Sequence, residues 1–269
     1  MHKHLLAGAA LLALGLSAPA TAADMPLKYV APAPIFTWTG CYVGAHVGYK
    51  WGTSKQTYGG LIAGVPVLPE LTGADITGNY NVNGPVGGAQ GGCNYQTGAW
   101  VWGIEVDGGW SSASGQANAI PPFNPEYVLT TNERWLATAR GRLGWAADRW
   151  MWYLTGGVAW SGFDVNNSNP LEPAQVSRQP TRINKTGWIV GVGTEYALLG
   201  GWSVKSEFLY ANFGTMHYGD ESSIVNGCLS CFNADVKMSE YIWRVGLNYR
   251  FDWASWGKGK APAPVVAKY

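Results

Sequence analysis

The chain has 269 residues, 18 of them Lys or Arg and 17 Asp or Glu, so it is close to neutral. Only 13% is charged, against about 25% in an ordinary soluble domain, while 47% is hydrophobic, 13% aromatic, 15 residues are Trp and 37 are Gly. This balance excludes nucleic-acid binding through bulk positive charge and disorder throughout, and no stretch after the N-terminal leader reaches the roughly 20 apolar residues of a spanning helix.

Residues 1–22 read as a secretory signal, with Lys3 in a basic start, an apolar core from Leu5 to Leu16 and a small-residue cleavage site at Ala20-Thr21-Ala22. Without Lys3 the mature chain keeps 17 basic and 17 acidic residues. Residues 23–37 contain Lys28-Tyr-Val-Ala-Pro-Ala-Pro34, too rich in proline for a helix or a central strand, and read as a periplasmic linker.

From residue 38 to 251 apolar residues recur at every second position, the period of a strand with one face in an apolar medium. The first segment, Trp38 to Gly52, sets Cys41, Val43, Ala45, Val47, Tyr49 and Trp51 on one face and Tyr42, His46 and Lys50 on the other. The second runs from Pro85 to Gln96. The third, Ala99 to Ser111, opposes Trp100, Trp102, Ile104 and Val106 to Glu105 and Asp107; the fourth, Arg134 to Ala146, opposes Trp135, Leu143 and Trp145 to Arg134, Arg140 and Arg142. The fifth spans Trp150 to Phe163. In the sixth, Thr186 to Ala197, Trp188, Val190 and Val192 oppose Glu195. The seventh, Trp202 to Phe213, opposes Phe208 and Tyr210 to Lys205 and Glu207, and the eighth, Ser239 to Phe251, opposes Trp243, Val245 and Leu247 to Arg244 and Arg250.

Short connections at 97–98, 147–149 and 198–201 alternate strictly with long polar ones near 53–84, 112–133, 164–185 and 214–238. An up-and-down outer-membrane barrel has this pattern, with short periplasmic turns and long outer loops. The prediction is an all-β, eight-stranded antiparallel transmembrane barrel over residues 38–251, with both termini periplasmic and residues 252–269 a dispensable tail. The final strand, ending at Phe251, would carry the insertion signal. Trp38, Trp51, Trp100, Trp110, Trp135, Trp145, Trp160, Trp188 and Trp202 lie near strand ends, where amphipathic rings meet the headgroups.

Trp38-Thr-Gly-Cys-Tyr-Val-Gly-Ala-His-Val-Gly resembles the opening-strand motif of small alphaproteobacterial outer-membrane barrels, the immunogenic or porin-like surface proteins. Trp102-Gly-Ile-Glu-Val-Asp-Gly, Gly187-Trp-Ile-Val-Gly-Val-Gly-Thr-Glu-Tyr-Ala and Val245-Gly-Leu-Asn-Tyr-Arg-Phe251 are similar to theirs, the last resembling rhizobial members. The resemblance covers nearly the whole mature chain and departs from the family at Cys41 and Cys93. It implies an abundant envelope protein of Gram-negative bacteria, inserted by the β-barrel assembly machinery among outer-membrane lipid and lipopolysaccharide. It names no ligand.

The residues offer little chemistry beyond that. Of the two mature histidines, His46 faces the lumen and His217 starts the last loop, neither with a Ser or Asp partner nearby in sequence, so no catalytic site is predicted. No cluster has metal-ligand spacing, no glycine string lies between a strand and a helix, and no cofactor is expected. Cys228-Leu-Ser-Cys231 in an exported loop favours a structural disulfide. Cys41 and Cys93 share the outward face of adjacent strands, which suits two lipid-facing thiols or a cross-strand disulfide.

Strand parity turns Glu105, Asp107, Arg134, Arg140, Arg142, Glu195, Lys205, Glu207, Arg244 and Arg250 inward. Charges in so narrow a lumen must pair, because an isolated buried ion costs several kcal/mol. Glu105 and Asp107 are expected against Arg140 and Arg142, and Glu195 against Lys205. A plugged structural barrel that supports the envelope and displays its loops is the favoured function. A small porin-like channel for water or small solutes is the alternative.

Overall fold

The computed structural model describes residues 36–59, 61–62, 65–66, 69–168, 181–218 and 234–251. The signal and tail segments, most of the linker, and Cys228 and Cys231 lie outside these residues. Eight long strands form the wall: β1 (Gly40–Tyr58), β4 (Tyr80–Thr97), β5 (Trp100–Ser111), β7 (Val128–Ala147), β8 (Trp150–Ser168), β9 (Thr181–Ala197), β10 (Trp202–Tyr218) and β11 (Ala234–Phe251). Each pairs antiparallel with its neighbour in the chain, and β1 pairs with both β4 and β11, which closes the ring. Closure leaves every wall strand with a ladder on both sides, the condition for crossing lipid. Three short strands complete the set: the pair β2 (Leu61–Ile62) and β3 (Val65–Pro66), and β6 (Ser114–Asn118). After a break at residues 112–113, β6 resumes the line of β5 and pairs Ser114–Asn118 with Asn132–Val128.

Most strands run further toward the long connections than alternation predicts. In β1 the added piece is Thr53-Ser-Lys-Gln-Thr-Tyr58, whose inward residues Ser54, Gln56 and Tyr58 are as buried as those below. Ladder pairing needs backbone groups and not apolar side chains, so the strand continues where its sequence signal ends. The turns at the other end are tight, and Gly98 supplies the left-handed backbone (φ 60°) that the β4–β5 turn requires.

The outward face carries the apolar rows. Trp51, Trp100, Trp110, Trp145, Trp160, Trp188 and Trp202 are all exposed there. Trp38 corrects the belt assignment: it is 3% exposed and packs into the short-turn mouth with Val101, Ala146, Met151, Tyr153 and Ala197. Its backbone N–H donates to Gln96 Oε1 (2.7 Å) and its Nε1 to the Asp148 carbonyl (3.3 Å). The chain just ahead of β1 is therefore folded into the barrel end instead of anchoring at its rim.

The interior is not polar along its length. Toward the long-loop end it is an apolar core that includes Phe163, Ile189, Leu209, Phe213, Met216, Met238 and Ile242. Above it, residues of the 69–79 and 119–127 segments cap the mouth, with Ile76, Ala119 and Phe123 packed on Tyr58, Leu129 and Ala234. A backbone bond from Ile120 N–H to the Ile76 carbonyl (2.8 Å) ties the two segments together.

Cys41 and Cys93 stand directly opposite in the β1–β4 ladder and are joined by a disulfide. With Cys228 and Cys231 replaced by Ser, thiol titration of the denatured, unreduced protein should find no free thiol; two would show the bridge to be absent. Because a closed ring has no edge at which to unzip, the unboiled protein should migrate faster in detergent gels than the boiled protein. Identical migration would count against closure.

Candidate functional site: the luminal charge layer

Between the Trp38 plug and the apolar core lies a layer of charge. β5 contributes Glu105 and Asp107, β7 Arg140 and Arg142, β9 Glu195, β10 Lys205 and Glu207, and β11 Arg244, each on the inward parity of its strand and at most 8% exposed. Four are acidic and four basic, so the layer is neutral as a unit.

The contacts form one network. Arg140 Nη2 bonds Glu105 and, at 2.8 Å, Asp107 Oδ1, while its Nη1 lies 3.3 Å from Glu207. Arg142 reaches Glu195 Oε2 at 2.7 Å and Glu105 at 3.4 Å, and its guanidinium lies 4.0 Å from the Tyr153 ring centroid. Lys205 Nζ donates to Glu105 (2.8 Å) and lies 3.2 Å from Glu207 Oε2. Arg244 clamps Glu207 through Nε (2.7 Å) and Asp107 through Nη2 (2.6 Å). Neutral groups join the network: Tyr42 Oη donates to Glu105 (2.6 Å), Tyr153 Oη to Glu207 (2.8 Å), and Ser203 and Asn248 to Glu195 (2.5 and 2.9 Å), while Arg142 Nε is left without a hydrogen bond. Gly193 makes room for this packing, since a Cβ there would come within 2.4 Å of the Tyr153 ring.

The predicted contacts of Glu105 and Asp107 with Arg140 and Arg142 are present, apart from any between Asp107 and Arg142, which shows none. The predicted Glu195–Lys205 pair is not formed, although the two are ladder partners. Lys205 instead reaches across the lumen to Glu105, and Glu195 is held by Arg142. Long side chains in a narrow barrel meet across its axis as readily as along its wall. Arg250 also lies outside the network; it is at the short-turn rim, where it donates to the Thr37 carbonyl and stacks on Phe36 at 4.6 Å.

Arg134 departs for a different reason. A β-bulge between Glu133 and Trp135 shifts the register against β8, so Glu133 points inward while Arg134 lies at the wall's outer side, paired with Asp164 at 2.8 Å. Glu133 then joins a second buried cluster that sequence reasoning missed: Lys50 Nζ bonds both Glu133 and Glu240 (2.9 Å to the latter), and Ser111 and Ser161 donate to Glu133 (3.1 and 2.6 Å). The parity of β11 extended one step beyond Ile242 would have found Glu240. Nothing in the sequence marks the bulge.

The two histidines are placed apart. His46 is buried against Gln90 (3.2 Å), and His217 pairs with Asp235 (2.5 Å) on the exposed rim. Among the described residues no group of three His, Cys, Asp or Glu could hold a metal ion. At the short-turn mouth the space between Trp38, Tyr42, Glu195 and Arg250 is about 10 Å³, room for one water at most.

Residues 8–251 match the outer membrane protein beta-barrel domain. The chain is 33% identical over 225 residues to the 31 kDa outer-membrane immunogenic protein of Brucella melitensis biotype 1, covering 82% of this chain and 87% of the relative. It is 26% identical over 244 residues to the 25 kDa outer-membrane immunogenic protein of the same organism, covering 88% and 93%. Among solved structures, the outer membrane protein OprG from Pseudomonas aeruginosa superposes with a TM-score of 0.50 at 13% identity, over 80% of this chain and 97% of that one, a likeness of fold alone. The closed ring of eight strands with its apolar face outward thus belongs to the outer-membrane β-barrel protein family, in the company of the Brucella immunogenic proteins, and its place is the outer membrane.

Proposed function

We propose that this protein is a structural, non-enzymatic barrel that supports the outer membrane and displays its long loops at the cell surface, with the short turns and both termini in the periplasm. The observation that supports this reading is that Trp38, the neutral charge layer, the apolar core and the loop segments over the mouth follow one another along the lumen as buried groups. A hydrated ion entering it would have to displace groups that already hold one another. In this reading delivery depends on the β-barrel assembly machinery.

In planar bilayers the purified protein should show no steady conductance of porin size; such conductance would promote the channel reading over the plug. Replacing Arg142 by Ala leaves Glu195 and Glu105 short of a buried partner, which should cost roughly 3–5 kcal/mol in urea unfolding from lipid vesicles. A loss below about 1 kcal/mol is what solvated charges would give, and would mean that the lumen is wet.

A further inference from the structure

We propose that Arg134 and Arg182, on the outward wall of β7–β9, bind a phosphate group of the lipids around the long-loop end of the barrel. The bulge is the first ground. Regular pairing would place Arg134 inside the lumen; the extra residue swings it out, and bulges commonly re-aim a side chain in this way. Charge is the second. Asp164 stands directly opposite Arg182 in the β8–β9 ladder, and its Oδ1 lies 2.8 Å from Arg134 Nε and 3.9 Å from Arg182 Nε. One carboxylate thus serves two guanidiniums, leaving an excess positive charge on the wall among the described residues. The closer contact is also off-line: neither Arg134 Nε nor Asp164 Oδ1 completes a hydrogen bond within the protein.

Depth is the third ground. Trp135 neighbours Arg134 in sequence, and Trp160 and Trp188 lie on the adjoining strands with their rings exposed. Asp164 comes four residues after Trp160. At about 3.3 Å per residue and a strand tilt near 40°, that is roughly 10 Å further along the barrel axis. Rings of this kind sit where hydrocarbon gives way to headgroups, so the two arginines reach the level of the lipid phosphates. A guanidinium fork matches phosphate oxygens in pairs, and both side chains are open to the surroundings, at 37% and 74% exposure. On another wall Lys55 pairs with Asp75 at 2.8 Å.

The proposal rests on placement in the membrane and not on the plugged lumen, so conductance does not bear on it. The test is native mass spectrometry of the folded protein released from zwitterionic micelles spiked with equal amounts of diphosphoryl lipid A and its dephosphorylated counterpart. Wild type should retain the phosphorylated lipid in preference. R182Q should reduce that retention about fivefold, the effect of one cation near a charged headgroup, and R134Q/R182Q further. Because R134Q alters the bulge, folding is checked by heat-modifiable mobility and R182Q alone decides the matter. Equal retention of both lipids, or full retention by R182Q, would overturn the proposal. Loss of the lipid on adding millimolar inorganic phosphate, with no preference between the two lipids, would also overturn it by assigning the site to soluble phosphate.

Discussion

Everything inside this protein follows from closing the wall at eight strands. A ring of that size satisfies every ladder and removes the edge, and it leaves an interior with space for side chains and little else. Side chains that point inward must therefore pack against one another, and a charge buried among them needs its counter-charge there. The four carboxylates and four cations of the central layer, with tyrosines, a serine and an asparagine bonded to the carboxylates, are one solution to that requirement.

The apolar core stacked above this layer is a different solution to the same requirement, and the order of the two matters. Phe163, Phe213, Leu209 and Met238 fill the lumen at the level of the outward aromatic row and beyond it. Lys50, Glu133 and Glu240 sit among them as a buried island whose partners are all internal. Apolar residues thus cover both faces of part of the wall, unlike the strict inside–outside division that two-residue alternation suggests.

That difference marks what the sequence could and could not reveal. Strand positions were legible because lipid imposes alternation on the outward face, and the ring was legible because short and long connections alternate. The polar strand ends were not, since Thr53 to Tyr58 pair through backbone groups that any residue provides. Ile189, Leu209 and Ile242 belong to an apolar core inside an apolar shell, and alternation is silent when both faces are apolar. The charge layer was legible in membership and only partly in pairing. Parity says which way Glu195 and Lys205 point, but across-axis distance decides what they touch. Arg134 and Glu133 exchange sides because one extra residue reverses parity, and position near a strand end does not tell Trp38, folded into the barrel mouth, from a belt residue at the rim.

The bridge between Cys41 and Cys93 changes how this wall would yield to force. The two residues are 52 positions apart, at the short-turn end of the seam where the first strand meets the second. A pull applied at the N-terminus cannot draw β1 out alone, because the load passes at Cys41 straight to β4. Roughly 180 Å of contour, at about 3.5 Å per residue, stays hidden from the pulling device. The first hairpin would come away as one mechanical element, tearing at its outer borders with β11 and β5 while the seam between its own two strands is shielded.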